Sequence, residues 1–315
     1  MTISQPFLFY AMQIPLRIRL LVVGAALMLL HYYLPIPYPA QVTVLLLVLL
    51  VMGIPHGALD FFLDQKISNT RTLRHSVLFL SRYLLNMLGY AVIWYLAPPL
   101  AIVLFILLTA YHFGEIDWLG KVRRRGDQFF YFLLGLSWIV FLLSKHIDEA
   151  VDIFVLLGQS RQTAAYYQAW AGVLLPLSFI SLWILHGILL VYHQRFFEDR
   201  RALLMAMVQI VVLSLINVLL PLWLCFTFYF GVWHSVLSFD VLRMEFGIPN
   251  TWKGWGQLFR KAVPYSLVAW TGILLFIRFQ LQELDLTHFF QLLFMGIAIL
   301  ALPHLQVFTK IKVAQ

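Results

Sequence analysis

Apolar residues run through this chain in blocks of transmembrane length, and charged residues gather in the short stretches between them. Ten such blocks can be drawn, at 18–34, 40–59, 78–97, 100–117, 128–144, 170–192, 202–219, 222–240, 264–281 and 286–306. Each is close to the ~20 residues that carry a helix across a hydrocarbon core. Pro98-Pro99 ends one helix and opens the next, and Pro221 marks a second such turn. Residues 3–16 are mixed and broken by two prolines, which places them at the membrane surface ahead of the first helix. Between 145 and 169, the apolar residues of Ile147–Leu157 fall on one helical face and predict a short interfacial helix. In the connection 241–263, Trp252 and Trp255 stand beside Lys253, Arg260 and Lys261, also an interfacial composition.

Composition agrees with the pattern. Hydrophobic residues make up 62% of the 315 positions and charged residues 11%, against about 25% charged in soluble domains. Mean hydropathy is +0.86. The expected fold is all-α, a polytopic membrane protein forming one integral-membrane domain over residues 1–315. A net charge of +8 could suggest a nucleic-acid partner. The placement of the charges argues otherwise. With the N-terminus in the cytoplasm, ten helices put 19 of the 22 basic residues on the cytoplasmic side, from Arg17 and Arg19 to Lys310 and Lys312. That alternation is how membrane topology is encoded, so both termini are expected in the cytoplasm and no nucleic acid is expected. Cys225 is the single cysteine, which excludes an intrachain disulfide and a cysteine-based metal site. No charge precedes Arg17 and no small-residue cleavage site follows, so no cleaved signal peptide is expected.

The histidines change the picture. His31, His75, His146, His193 and His288 fall near helix ends, where water or headgroups can satisfy them. His56, His112, His186, His234 and His304 fall on the second, fourth, sixth, eighth and tenth helices, all running toward the cytoplasm. Each precedes the next loop charge by four to nine residues, so the five imidazoles share one depth. A lone membrane histidine is commonly a hydrogen-bonded packing residue; five in one layer point to a bound metal or an ion path. Imidazole suits iron, zinc, copper and nickel, and a ligating histidine needs an acceptor for its other nitrogen. Asp60 after His56, Glu115 and Asp117 after His112, and Asp240 after His234 are candidates for that acceptor. Pro55 and Pro303 each precede a histidine and can bend the helix that carries it. A transporter would more often show inverted repeats and a midplane site; here the similar elements on helices two and four run in the same direction.

Four stretches carry a family resemblance: Gly53-Ile54-Pro55-His56-Gly57-Ala58-Leu59-Asp60, Tyr111-His112-Phe113-Gly114 with Asp117, Tyr229-Phe230-Gly231-Val232-Trp233-His234-Ser235, and Leu302-Pro303-His304. In them the chain resembles the Brp/Blh family of membrane β-carotene 15,15'-dioxygenases. The resemblance implies a non-haem Fe(2+) held by histidines, O2 and β-carotene as substrates in the lipid bilayer, and two retinals as product. It also implies a multi-pass protein of the cell's inner (plasma) membrane, with a rhodopsin as a possible recipient of the retinal. Carried over residue by residue, the ligands include His56, His112 and His234. The family pattern His-Ser-x-x-His here reads His234-Ser235-Val236-Leu237-Ser238, so a hydroxyl stands in one ligand's place. Either His304 or His186 completes the site, or three residues hold the iron, or the activity differs. His304 lies in a family motif; His186 has only its depth. Two alternatives remain open, an iron-dependent oxygenase of another carotenoid or polyene and a non-catalytic carrier with a histidine-lined site.

Overall fold

The computed structural model describes residues 6–118, 125–191, 200–280 and 286–311, and every regular element among them is helical. The first helix, α1, spans Pro6–Tyr33. It takes in most of the stretch assigned to the membrane surface. Pro6 sits at the first helical position, where a missing N–H costs nothing, and Pro15 is carried inside. The second block is not one helix. α2 (Tyr38–Val48) passes through a π-helical turn, Leu49–Gly53, into the short α3 (Ile54–Gly57) and then α4 (Asp60–Ile67). Next come α5 (Leu73–Leu96), α6 (Pro98–Asp117) and α7 (Arg125–Lys145). The connection 145–169 forms two helices, α8 (Ile147–Leu156) and α9 (Arg161–Ala169), the latter capped by Ser160 accepting from the Thr163 N–H at 3.0 Å. α10 (Ala171–Val191) and α11 (Arg200–Leu219) lead to α12 (Leu222–Phe226). A second π-helical stretch, Thr227–His234, continues α12 into α13 (Ser235–Glu245). α14 (Trp252–Gln280) and α15 (Leu286–Phe308) close the bundle.

Nine helices among the described residues are long and apolar enough to cross a membrane. The tenth predicted span falls on the second half of α14, and its end at residue 281 lies outside the described residues. So do His193 and the basic residues Lys121, Arg123, Arg124, Arg195 and Lys312. The span Leu222–Glu245 is the hub, with 78% of its apolar window buried, against 6% for Leu73–Leu96. Its Phe228, Trp233, Leu237 and Phe239 anchor the largest apolar cluster, while Leu84, Leu85 and Leu88 of α5 face outward.

Two close approaches hold the bundle's centre together. A Cβ at Gly114 of α6 would overlap the Tyr131 carbonyl of α7, and one at Gly135 would overlap the Ala110 carbonyl. A Cβ at Gly231, in the second π-helical stretch, would overlap Val48 of α2. Small residues let backbones approach this closely, so dispersion and packing can hold helices together where lipid removes the hydrophobic drive. Gly187 of α10, by contrast, has nothing near it.

Two charges among the described residues, Arg17 and Arg243, depart from the expected topology signal. Arg17 is fully buried rather than facing a cytoplasmic loop. Its Nη1 donates to Gln209 Oε1 at 2.9 Å and its Nη2 to the Ile116 carbonyl at 3.3 Å. Its guanidinium also lies 5.5 Å over the Trp233 ring.

Candidate metal centre

The four family-motif histidines meet. Ring centroids of His56 and His234 are 5.7 Å apart, His234 and His112 4.7 Å, His112 and His304 4.9 Å, and His304 and His56 4.9 Å. The four rings close a loop, and all four side chains are buried.

His56 owes its position to irregular backbone. Pro55 has no N–H, so the α-helical ladder cannot continue through it. Ahead of it the bonding slips by one residue, and the Ile54 N–H donates to the Leu49 carbonyl. A π-helical turn of this kind is often found at functional sites. The His56 Nδ1 lies 3.2 Å from the Met52 carbonyl. A carbonyl only accepts, so that contact puts the proton on Nδ1 and leaves the Nε2 lone pair exposed to the cluster. His304 is set the same way from the opposite wall. Its Nδ1 is 2.9 and 3.0 Å from the two Asp60 oxygens, and Tyr83 donates to that carboxylate at 3.0 Å. His304 Nε2 then faces inward, 3.2 Å from His112 Nε2.

His234 ends the second π-helical stretch, where Gly231 brings the backbone against α2. Its Nε2 is 3.4 Å from Ser238 Oγ, one helical turn on. The Nδ1 atoms of His112 and His234 are buried and have no hydrogen-bond partner among the described residues. Aromatic rings enclose the loop of imidazoles. Phe113 stacks on His234 at 4.1 Å, Phe308 packs on His112 and His304, and Phe239 on His56.

This arrangement fits a bound cation. Nitrogens of His56, His112 and His234 all lie within 4.8 Å of one another. Two nitrogens on one ion, each with a bond of ~2.1 Å, lie about 3 to 3.4 Å apart, and the His112–His304 separation is 3.2 Å. A nitrogen-only donor set suits a divalent transition metal and not calcium or magnesium.

The expected supporting residues are placed differently from their order in the chain. Asp60 serves His304 rather than the neighbouring His56. Among the described residues Asp117 hydrogen-bonds no imidazole: it accepts from Tyr229 Oη at 2.8 Å and Trp233 Nε1 at 2.7 Å. It therefore clamps the stretch that ends in His234, with Arg17 stacked on the same indole. Glu115 Oε2 is buried without a hydrogen-bond partner among the described residues. Asp240 pairs with Arg243 at 2.7 Å. Ser238 is buried against His234. His186 lies apart from the four, its Nδ1 2.6 Å from its own helix's Leu182 carbonyl and its ring against Trp118 and Trp138. Tyr83 and Arg17 lie outside the motifs, and Tyr229 and Trp233 lie in the His234 stretch without a visible role, so only the tertiary structure reveals these four as supports.

The family profile for beta-carotene 15,15'-dioxygenase matches residues 47–312. The chain belongs to this family. The match takes in all four clustered histidines together with Asp60 and Asp117. Two curated relatives align over shorter stretches. One, from an uncultured marine bacterium (66A03), is named beta-carotene 15,15'-dioxygenase and is 34% identical over 67 residues, 21% of this chain and 24% of that protein. The other, from Halobacterium salinarum, is named probable beta-carotene 15,15'-dioxygenase Blh and is 37% identical over 68 residues, 21% of this chain and 20% of that protein. These alignments thus span about a quarter and a fifth of the relatives' lengths. No solved structure matches the chain.

Proposed function

We propose that this chain cleaves β-carotene at its central 15,15' double bond with O2, giving two molecules of retinal, and that His56, His112, His234 and His304 hold Fe(2+) for the reaction. The observation that carries the reading is the closed loop of four buried imidazoles in the segment shared with the family. Bound by these neutral imidazoles, such an ion would supply the activation of O2 beside an alkene.

The protein's part is to position, to orient and to exclude water. Met52 and Asp60 fix the tautomers of His56 and His304 so that both present Nε2. Asp117 and Gly231 set the backbone that delivers His234. Phe113, Phe239 and Phe308 keep water from the rings and offer an apolar surface to an uncharged polyene. No side chain is required as a nucleophile. Ser238 puts a hydroxyl, not an imidazole, 3.4 Å from His234 Nε2.

β-Carotene is about as long as the ~30 Å hydrocarbon core is thick. His112 and His304 lie in the last third of their helices, so a carotenoid standing upright along them would put its centre at the wrong depth. The substrate therefore lies strongly tilted and reaches the site sideways from the lipid. The product retinal leaves by the same route to an acceptor such as a rhodopsin. The hydroxyl at Ser238 favours one second reading, cleavage of another carotenoid by the same centre.

Expression in β-carotene-accumulating cells, beside His56→Ala and His112→Ala, tests the proposal. Retinal from the intact chain, and a loss of at least a hundredfold in both variants, is the expected result. Loss of carotene without retinal identifies the second reading. Unchanged carotene and no iron in the purified protein would sink both.

A further inference from the structure

At the end of the bundle near Asp64 and Lys310, α4, the segment after it and the start of α14 enclose an open cleft of about 660 Å³. Three cations, Lys66, Arg71 and Lys261, share it with two amides, Gln65 and Gln257, and with the rings of Phe62 and Phe246. The Lys261 ammonium lies 4.3 Å from the Phe246 ring centre and 4.9 Å from that of Phe62, and Lys66 is 6.0 Å from the same Phe246 ring. One aromatic floor thus gathers two ammonium groups, with a guanidinium on the rim.

Their charge is poorly met by the protein. Lys66 reaches Glu245 only at 3.7 Å, beyond a direct hydrogen bond. Arg71 and Lys261 meet no carboxylate among the described residues. Elsewhere at this end the chain does pair its cations: Lys310 with Asp64 at 2.9 Å and Arg243 with Asp240 at 2.7 Å. Partial burial, and then the charges of Arg71 and Lys66, push the Lys261 ammonium below the usual lysine range. Like charges held together over an apolar floor are relieved by an anion from outside. Phosphate oxygens suit this set, since the guanidinium and two ammoniums bind them strongly and the two amides can donate to whatever oxygens remain.

We propose that this cleft is a binding site for a phosphate-bearing anion, with Lys66, Arg71 and Lys261 as its cationic ligands. The volume falls within the ~300–1,000 Å³ of ligand sites. Trp252, 95% exposed at the start of α14, marks the headgroup depth of the bilayer. That location favours an acidic lipid headgroup over a free phosphate. The site is separate from the metal centre and does not depend on the carotenoid reading.

The test uses the full chain in neutral detergent. Phosphatidylglycerol, phosphatidylcholine and inorganic phosphate are added separately, and lipid retention by native mass spectrometry and thermal unfolding are read. Wild-type protein should retain phosphatidylglycerol and melt several degrees higher with it, while phosphatidylcholine leaves both unchanged. Arg71→Gln with Lys261→Gln should weaken phosphatidylglycerol binding at least tenfold. Should that double variant fail to fold, Arg71→Glu alone, on an exposed side chain, should weaken it severalfold. Lys253→Gln, outside the cleft, should bind as wild type does. Equal protection by inorganic phosphate would assign the site to a free phosphate and still support it. Equal retention of the two lipids, or undiminished binding by both cleft variants, overturns the proposal.

Discussion

Asp60 follows His56 by one helical turn, yet its carboxylate holds His304, 244 residues away. A negatively charged acceptor on the outer nitrogen fixes the ring and raises the basicity of the inner nitrogen, and loss of such a partner costs about 10–100-fold in metal affinity. Asp60→Asn keeps an acceptor but removes the charge. It is expected to lower iron affinity within that range while the folded helical signal persists, and Tyr83→Phe, one bond further out, should cost less. Iron titration of the purified variants checks both, and wild-type affinity in Asp60→Asn would remove the carboxylate from the centre. The same residues show what was legible beforehand. Depth was, because the number of residues between a histidine and the next loop charge converts directly into rise along a helix. The direction in which each side chain points was not. His186 shares the layer but sits against Trp118 and Trp138 instead of the other four. Asp117 was recognised as a candidate, but its partner Trp233 lies 116 residues on, where no spacing rule reaches.

The elements that deliver His56 and His234 both contain π-helical backbone, and the two irregular stretches pack on one another. The first has a visible cause in Pro55. The second contains no proline, and its irregularity coincides with the tight seat of Gly231 against Val48, which is a tertiary requirement. Gly231→Ala is therefore expected to destabilise the fold by about 1–3 kcal/mol, the usual range for overpacking, and to weaken iron binding because His234 moves with the backbone. Gly187→Ala is the contrast. Nothing lies near a Cβ there, and alanine is the better helix former by about 1 kcal/mol, so stability should hold or rise. Thermal melting of the two variants checks the pair. A Gly231→Ala protein that melts with wild type would show that the contact gives way without cost.

At the scale of the whole molecule, the helical membrane bundle was plain in the apolar blocks, since continuous apolar runs of ~20 residues satisfy their backbone within a bilayer as helices, whereas a barrel's strands are shorter and alternate. The charge count was less faithful. Arg17 counts toward the cytoplasmic side in the sequence but is buried on Gln209 and Trp233, and Arg243 is buried on Asp240. Sidedness must therefore rest on residues that are exposed, and a labelling experiment can use them. Cys225 is buried and its thiol donates to Asn217 at 3.2 Å, so the background toward a membrane-impermeant maleimide should be low. Arg161 opens α9 on the side assigned to the exterior, and Lys253 opens α14 on the side assigned to the cytoplasm; both are exposed. Arg161→Cys should label in intact cells, whereas Lys253→Cys should label only after the cells are broken. The reverse pattern would invert the bundle and place the phosphate cleft and the near end of the histidine cluster outside. Labelling of both positions in intact cells would put the two loops on one side and mean that one of the three helical spans between them, α10, α11 or the continuous α12–α13, does not cross the membrane.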